Sequence, residues 1–286
     1  MTTVSMDDYV ADRVDAPVPT LNASVAHKLL SRSPLHAWAA HPKLNPAREP
    51  ETSDAFDLGT AVHALLLEGR DIIEVCAFDD WRTKDAKNMR DIARQDGKIP
   101  LLPHQAELVR RMAGVGRKAM DTCPDLRGCG PYDPEQTIVY RYEDTWLRCR
   151  PDLIAQDKLV VLSYKTAQSA EPEKFTRSLL DYGYEMQAAF EINAVESLTG
   201  VRPKYVWVVQ ESAEPYAVSF VGMSPGMREY AQERFESTVG IWQDCLERNE
   251  WPGYPERVHW VDLPGYLQTR WEEQKAIQEI VEVFAS

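Results

Sequence analysis

The chain has 286 residues, 44% of them apolar, and a formal net charge of −13 at pH 7. This length and apolar content suit one large domain, or one domain with an appended arm. The longest apolar runs are too short to cross a bilayer, and the polar, acidic N-terminus is unlike a secretory signal. We therefore expect a cytoplasmic protein with no membrane partner.

The cysteines and the net charge narrow the possible functions further. An odd, dispersed set of cysteines without a CxxC pair argues against a disulfide framework, a zinc site and an iron–sulfur cluster. These residues are Cys76, Cys123, Cys129, Cys149 and Cys245. A strongly negative chain can bind DNA only where basic residues are concentrated, because affinity comes largely from neutralising phosphates.

The first part of the chain is predicted to be helical. Residues 1–21 contain two prolines and no periodicity, so we predict a loose N-terminal arm. Two short helices follow, with sequences LNASVAHKLLSRSP and LHAWAAH, and then a loop over 43–55 that is rich in Pro and Glu. The segment DLGTAVHALLLEG has one apolar stripe at helical spacing and predicts an amphipathic helix that ends near Gly69.

The densest basic stretch of the chain lies at residues 81–98, with the sequence WRTKDAKNMRDIARQDGK. It contains Lys84, Lys87 and Arg90. Two interpretations stay open on the sequence alone: a solvated helix face, or a segment that contacts phosphates. A further helix is predicted for LLPHQAELVRRMAGVGRKAM, directly after this stretch.

From about residue 137 the apolar pattern changes to a period of two. The segments TIVYRYED, TWLRCRPDLI and KLVVLSYKT predict three consecutive strands. Helices are predicted over 171–181 and 184–199, then two strands, then a long helix over 225–248. This order predicts an α/β (α+β) fold with a mixed central sheet flanked by helices, in a main domain over 22–250. Residues 251–286 form a C-terminal extension that ends in a short acidic helix.

The second and third predicted strands form a hairpin with a polar face. With the turn at Gln156 and Asp157, Asp152 lies opposite Val161, and Ser163 lies opposite Arg150. Because strand side chains alternate, one face then carries a set of polar residues, namely Arg148, Arg150, Asp152, Ser163 and Lys165. Such a face could hold a divalent cation, orient a water and contact phosphates. The alternative is a surface ladder of salt bridges.

Several motifs resemble those of a known nuclease superfamily. Pro151-Asp152, followed by Ser163-Tyr164-Lys165, resembles the PD-(D/E)xK nuclease signature. GTAVHALLLEG resembles the Gly-x-x-x-His helix of its RecB-like branch, and GYEMQAAFE resembles the glutamine motif of that branch. The early SVAHKLLSRSPLHAW and the basic block resemble RecE-type exonuclease VIII of phages and prophages. The resemblance spans about residues 22 to 245.

The resemblance implies roles for individual residues. His63 and Asp152 would be metal ligands, and Ser163 occupies a position that normally holds a third one. Lys165 would be the catalytic lysine, and Gln187 would position water or DNA. The candidate contacts to DNA are all basic: Arg148, Arg150, Lys84, Lys87, Arg90, Lys174 and Arg177.

Ser163 departs from the family pattern, which has Asp or Glu at this position. A serine hydroxyl is a weak ligand for Mg²⁺, which prefers charged oxygens and water. Three explanations stay open. The residue was changed on purpose, the chain is naturally inactive, or another carboxylate supplies the charge: Glu135, Glu185 or Glu191.

The expected function is that of a Mg²⁺-dependent exodeoxyribonuclease, with Mn²⁺ as a substitute and no iron–sulfur cluster. By resemblance it degrades linear double-stranded DNA from 5′ to 3′ and exposes single strands for homologous recombination in a bacterial host. A RecT-like single-strand annealing protein is the implied partner, and a homo-oligomeric ring, favoured as a tetramer, is the implied assembly. The alternative is a catalytically inactive module that binds DNA ends.

Overall fold

The computed structural model describes residues 4–48, 54–157 and 159–285. The chain divides into two compact units, Met1–Gly253 and Tyr254–Ser286. In the described part of the first unit the α-helices are α1 Met6–Val10, α2 Ala23–Ser31, α3 Pro34–Ala40, α4 Asp54–His63, α5 Lys84–Gln95, α6 Pro103–Thr122, α7 Pro172–Asp181, α8 Tyr184–Thr199 and α9 Pro225–Arg248. A π-helix, Ala64–Glu68, continues α4, and a 3-10 turn, Pro124–Leu126, follows α6.

A mixed five-stranded sheet lies at the centre of this unit. The strands are β1 Ile73–Val75, β2 Ile99–Leu101, β3 Tyr132–Pro134, β4 Ile138–Tyr142, β5 Thr145–Cys149, β6 Leu153–Ala155, β7 Val160–Ala167, β8 Lys204–Glu211 and β9 Val218–Gly222. The central sheet has the order β3-β6-β7-β8-β9, with β7 and β8 parallel and the other neighbours antiparallel. This confirms the expected fold class with a mixed sheet flanked by helices. Strands β1 and β2 pair in parallel, and β4 and β5 form an antiparallel pair.

Apolar side chains cover both faces of the central sheet. Val161 of β7 belongs to one core cluster together with Phe190 of α8, whereas Leu162 belongs to a second cluster together with Leu66 of the π-helix. Successive residues of a strand point to opposite faces. Ser163 therefore points to the α8 side of the sheet, as Val161 does.

The predicted hairpin differs from the observed one in register and in length. Leu153 pairs with Leu162 and Ile154 with Val161, so the pairing is shifted by two residues from the predicted one. A shift of two residues keeps the side chains of β6 and β7 on their predicted faces, because the repeat of a strand is also two. The predicted strand TWLRCRPDLI is split into β5 and β6, which belong to different sheets.

The prediction of a loose N-terminal arm was wrong for the residues that are described. Residues 6–10 form α1, and Ser5 caps it by accepting a hydrogen bond from the backbone N–H of Asp8 at 3.0 Å. Asp12, Thr20 and Leu21 are completely buried. Polar side chains hold this segment in place, since Asp12 forms an ion pair with Arg148 at 2.9 Å.

The second unit contains one long helix, α10 Gly265–Ala285, in place of the short acidic helix that we predicted. The loop that we predicted over 43–55 overlaps α4, which begins at Asp54. Residues 49–53 of the predicted loop lie outside the described part of the chain. Among the described residues, no helix is both long enough and apolar enough to cross a membrane.

Candidate metal centre

His63 is positioned by a change of helix type. It is the last residue of α4, and the π-helix Ala64–Glu68 begins directly after it. Single turns of π-helix inside α-helices occur frequently at functional sites. The guanidinium of Arg117 donates to the carbonyls of Leu65 and Leu66, at 3.1 and 2.9 Å, and so holds the widened turn. Glu68, at the end of this turn, lies 3.9 Å from Nδ1 of His63.

Glu135 directly follows β3, which pairs with β6 in a register that places Pro134 opposite Leu153. Its backbone N–H donates to the carbonyl of Asp152 at 3.1 Å, so the two acidic residues are neighbours across the sheet edge. Glu135 has a φ of 51°, in the left-handed region that residues with side chains rarely adopt. Such conformations persist where surrounding contacts fix them, and they cluster at functional sites.

Asp152 is held at one of its two carboxylate oxygens. Its Oδ2 accepts hydrogen bonds from the Ser163 hydroxyl at 3.0 Å and from the Tyr164 backbone N–H at 2.7 Å. Its Oδ1 lies 3.3 Å from Nε2 of His63. The fixed oxygen orients the carboxylate, and the other oxygen faces the histidine.

His63, Glu135 and Asp152 together form a candidate cation site. Each offers one ligand atom, and the three atoms lie within 4.8 Å of one another. Oε1 of Glu135 lies 3.3 Å from Nε2 of His63, the same distance as Oδ1 of Asp152. One imidazole nitrogen and two carboxylate oxygens are a donor set that suits a divalent cation, and the remaining positions suit water.

The outer oxygens of Glu135 and Asp152 have hydrogen-bond donors, and Glu68 lies 3.9 Å from the outer nitrogen of His63, beyond hydrogen-bond distance. Glu68 lies near Nδ1 of His63, Arg150 donates to Oε2 of Glu135 at 2.5 Å, and Ser163 and Tyr164 donate to Oδ2 of Asp152. Such outer hydrogen bonds orient metal ligands. The inner atoms are thus directed toward a common point, as a bound cation would require.

The electrostatics of the cluster favour a positive charge at its centre. Burial alone would raise the pKa of Asp152, but Lys165, His63 and the Tyr164 N–H lower it to about 2. Burial alone would lower the pKa of His63, but Asp152, Glu135 and Glu68 outweigh it, and the pKa is raised. The carboxylates therefore attract a proton to His63 when no other cation is present.

Lys165 lies beside the cluster, as the hairpin prediction expected. It is two residues after Ser163 on β7, and its Nζ lies 4.8 Å from the centre of the Tyr184 ring, at the start of α8. Its charge contributes to the low pKa of Asp152. A cation over an aromatic face is held by the ring quadrupole while its remaining donors stay free.

Comparisons with known proteins agree with this architecture. Residues 24–264 match the family model described as a PDDEXK-like domain of unknown function (DUF3799). The chain belongs to this family. No curated protein matches the sequence.

The PDDEXK-like domain also has similar solved structures. One is a protein named "Putative exonuclease" from Eubacterium rectale, with a TM-score of 0.62 and 12% identity over 92% of this chain and 97% of that one. At this identity the likeness concerns the fold alone. A second, SSO0001, has a TM-score of 0.33 and 10% identity over 84% of this chain and 88% of that one, which is too low to support an argument.

The Ser163 side chain contacts a residue of the candidate site, Asp152. It is fully buried, and its hydroxyl donates to Asp152. Glu135, one of the three alternative carboxylates, joins His63 and Asp152. The sequence carried only a weak signal for Glu135, which is an acidic residue just before a predicted strand. Glu185, another alternative, is buried and lies 3.4 Å from Arg234.

Glu191, the last alternative carboxylate, lies in a buried network on α8. Gln187 donates to one of its oxygens at 2.8 Å, and the Tyr205 hydroxyl donates to the other at 2.9 Å. Burial and the negative charge of Asp152 raise the pKa of Glu191 to about 8. Gln187, which we predicted to position water or DNA, is half-buried, and its side chain is bound to Glu191.

Burial leaves no DNA-binding surface on Arg148 and little on Arg150, two of the predicted DNA contacts. Arg148 is 0% exposed, and it binds Asp12, Thr20 and the carbonyl of Tyr9. No surface of Arg148 remains for a phosphate, because β5 packs under the N-terminal segment. Arg150 is 13% exposed and is bound to Glu135, one of the three residues of the candidate cation site.

The other predicted contacts lie on two helices. Lys84 and Lys87 are exposed on α5, whereas Arg90 is half-buried, with Asp91 at 3.3 Å and the Trp81 ring centre at 5.9 Å. On α7, Arg177 is exposed, and Lys174 forms an exposed ion pair with Glu171 at 2.6 Å.

Proposed function

We propose that this PDDEXK-like chain is a metal-dependent nuclease that hydrolyses phosphodiester bonds of DNA. The observation that carries the proposal is the convergence of three ligand atoms, from His63, Glu135 and Asp152, beside Lys165. Membership of the PDDEXK-like family supports it. A bound Mg²⁺ or Mn²⁺ would polarise the scissile phosphate and lower the pKa of an attacking water.

The residues of the chain would divide the work around the cation. His63, Glu135 and Asp152 would hold it, and their outer partners would keep the inner atoms directed toward it. The ammonium of Lys165 would orient the attacking water and stabilise the negative charge that develops on the phosphate. Gln187, through its bond to Glu191, would position water or DNA beside the first turn of α8.

We further propose an exonuclease that acts on the ends of linear double-stranded DNA from 5′ to 3′, and so prepares single strands for recombination. The ordered motifs that resemble RecE-type exonuclease VIII support this specificity. The likeness in fold to a protein named "Putative exonuclease" is compatible with it. The same resemblance supports a RecT-like annealing partner, a cytoplasmic location in a bacterial host of the phage or prophage, and a homo-oligomeric ring, favoured as a tetramer.

A ring would reconcile DNA binding with a net charge of −13. An acidic exterior and a basic channel would keep the protein soluble while concentrating positive potential along the DNA. Lys84 and Lys87, exposed on α5, are proposed to contact phosphates, together with Arg90, Lys174 and Arg177. Lys84→Gln and Lys87→Gln should each weaken duplex binding and reduce its salt dependence by about one unit of slope, whereas Arg141→Gln, whose charge is paired with Asp144, should not.

The direct test is cleavage of linear duplex DNA labelled at either the 5′ or the 3′ end, with Mg²⁺, with Mn²⁺ and with a chelator. We expect metal-dependent release of mononucleotides from linear duplex but not from a closed circle, and faster release of the 5′ label. Cleavage of the closed circle would refute the exonuclease while leaving a nuclease. Cleavage in the presence of chelator would refute the metal dependence.

The second candidate function is that of an inactive module that binds DNA ends, and Ser163 is the observation that favours it. Comparing the natural chain with Ser163→Asp in the cleavage assay separates the two. If Glu135 is the compensating carboxylate, the serine form cuts and the added aspartate, buried against Asp152, gives no gain. Cleavage by Ser163→Asp alone would favour the binding module and argue for a missing ligand.

A further inference from the structure

We propose that Arg150 is a positioning residue that keeps one oxygen of Glu135 available to a divalent cation; this inference rests on the metal-dependent function proposed above. The residue lies one position before the Pro151-Asp152 pair. Arg150 is therefore close in sequence to one proposed metal ligand, Asp152, and its side chain binds another, Glu135.

The Arg150 guanidinium is fixed by three acceptors. Its Nε donates to Oε2 of Glu135 at 2.5 Å, and its Nη1 donates to the carbonyl of Val4 at 2.7 Å and to the hydroxyl of Thr137 at 2.9 Å. Both partners of the ion pair are largely buried, at 13% exposure for Arg150 and 11% for Glu135. A planar guanidinium with several fixed partners sets both the place and the direction of the carboxylate it binds.

Backbone contacts hold the main chain of Glu135, and Arg150 fixes one of the two oxygens of its carboxylate. Glu135 lies beyond the end of β3, with a φ of 51°. With Oε2 bound to Arg150, the carboxylate presents Oε1 to the cluster, 3.3 Å from Nε2 of His63. Without Arg150, the carboxylate would be free to rotate away or to bind His63 directly with both oxygens.

Positioning and simple charge repulsion predict opposite results when Arg150 is neutralised. Removing a positive charge from beside a cation site lowers the electrostatic repulsion and should strengthen cation binding. Losing the orientation of a ligand should weaken it, and outer-contact substitutions commonly lower metal affinity by about 10- to 100-fold. The sign of the change therefore identifies the role.

The experiment is calorimetric titration of the metal-free full-length chain with Mn²⁺, for the natural protein and for Arg150→Gln, Glu135→Gln and the double variant. We expect Arg150→Gln to weaken Mn²⁺ binding by at least about tenfold. If Arg150 acts through Glu135, the double variant binds Mn²⁺ no more weakly than Glu135→Gln alone. Arg141→Gln is the matched control, because it removes the same charge from an exposed ion pair with Asp144.

Thr137→Val is a milder variant that keeps the inference testable if Arg150→Gln does not fold. It removes one acceptor of the guanidinium in a nearly unchanged volume and should weaken Mn²⁺ binding by a few-fold, in the order of one lost hydrogen bond. Circular dichroism and thermal unfolding of every variant separate a loss of metal affinity from a loss of fold.

The outcomes distinguish this inference from the function on which it rests. If the natural chain binds no Mn²⁺, the proposed metal centre fails and the inference falls with it. If the natural chain binds Mn²⁺ and folded Arg150→Gln binds it equally or more tightly, the metal centre stands and the positioning role is overturned. A double variant weaker than Glu135→Gln would also overturn it, since Arg150 would then act by another route.

Discussion

Two clusters of this chain contain the same kinds of residue and have opposite properties. In one, Oδ2 of Asp12 lies 3.5 Å from Nε2 of His41. In the other, Oδ1 of Asp152 lies 3.3 Å from Nε2 of His63. Each cluster also holds one acidic residue in the left-handed conformation, Asp12 with a φ of 56° and Glu135 with a φ of 51°.

In the first cluster, the negative charge of Asp12 is balanced by buried donors. Asp12 accepts hydrogen bonds from Arg148 at 2.9 Å and from the backbone N–H and the hydroxyl of Thr20. Burial lowers the pKa of His41 to about 4, so this histidine is neutral at pH 7. Asp12, His41 and Arg148 are all 0% exposed, and no ligand can reach them.

The second cluster leaves part of its negative charge uncompensated. Two carboxylate oxygens face one histidine nitrogen, and the pKa of His63 is raised instead of lowered. The side chain of His63 remains 20% exposed, so a cation can reach it. Residue types alone therefore do not distinguish a structural cluster from a candidate functional one. The distinction lies in the donors: Asp12 is bound by an arginine, whereas the inner oxygens of Asp152 and Glu135 face a histidine, which can give up its proton when a cation binds.

The largest expected effect is on catalysis. Asp152→Asn removes one charged ligand oxygen and should lower the rate of DNA cleavage by roughly a thousandfold, about 4 kcal/mol of transition-state stabilisation. Asp144→Asn makes the same chemical change at an exposed ion pair and should leave the rate unchanged. Single-turnover cleavage of end-labelled duplex measures both. If Asp152→Asn cut DNA as fast as the unsubstituted chain, the second cluster would not be the catalytic site.

The next effect is on stability. Asp12→Asn leaves Arg148 buried without its counter-charge, which should lower the free energy of unfolding by about 3 kcal/mol. Mn²⁺ affinity of the folded variant should be unchanged, because Asp12 does not contact the metal centre. Asp8→Asn, in an exposed pair with Arg13 of the same segment, should change stability little. Urea unfolding of the unsubstituted chain, Asp12→Asn and Asp8→Asn measures these changes. If both variants lost the same free energy of unfolding, Asp12 would not act as the buried counter-charge of Arg148.

The two histidines should respond to pH with opposite signs in the metal-free protein. His41 has a lowered pKa in the fold, so acidification from about pH 7 to about pH 5 protonates the unfolded chain first and costs roughly 2 kcal/mol of stability. His63 has a raised pKa, so its contribution is present below its unfolded pKa of 6.5 and is lost as pH rises through the raised value.

Urea unfolding across this pH range, with chelator present, tests the assignment. His41→Gln should lose less stability on acidification than the natural chain does, and His63→Gln should lose more. If both substitutions changed the pH dependence of stability in the same direction, the pKa values of His41 and His63 would not be shifted in opposite directions.

The smallest expected effect concerns the outer hydrogen bond of Asp152. Ser163→Ala removes the hydroxyl donor but leaves the Tyr164 N–H on the same oxygen. Mn²⁺ affinity should fall only a few-fold, corresponding to about 1 kcal/mol for one hydrogen bond. Titration of Mn²⁺ into the variant measures this. Complete loss of binding would instead make Ser163 a ligand.

Part of the site was predictable because it depends on local geometry. The period-two pattern placed Asp152, Ser163 and Lys165 on one face, and this holds although the register is shifted by two residues. The motif resemblance placed His63 with Asp152, and the structure brings them within 3.3 Å. Alternation along a strand and the turn of a helix are fixed by neighbouring residues alone.

The rest depended on contacts between distant segments. The role of Glu135 follows from the pairing of β3 with β6, and the burial of Arg148 follows from the packing of the N-terminal segment against β5. Neither pairing is encoded in the residues next to Glu135 or Arg148. Pairing is selected by the packing of the whole core, and the same arginine is a surface residue or a buried one depending on what covers it.

Hydrophobic period and motif spacing are local properties, and they were enough to predict the fold class, the faces of β6 and β7 and the family resemblance. Contacts between distant segments place Arg148 against Asp12 in one cluster and Arg150, two residues later, against Glu135 in the other. The strand is interrupted between β5 and β6, which belong to different sheets, so the two arginines lie in different environments. Those environments, and not the residue types, determine which charges are compensated and which remain available to a cation.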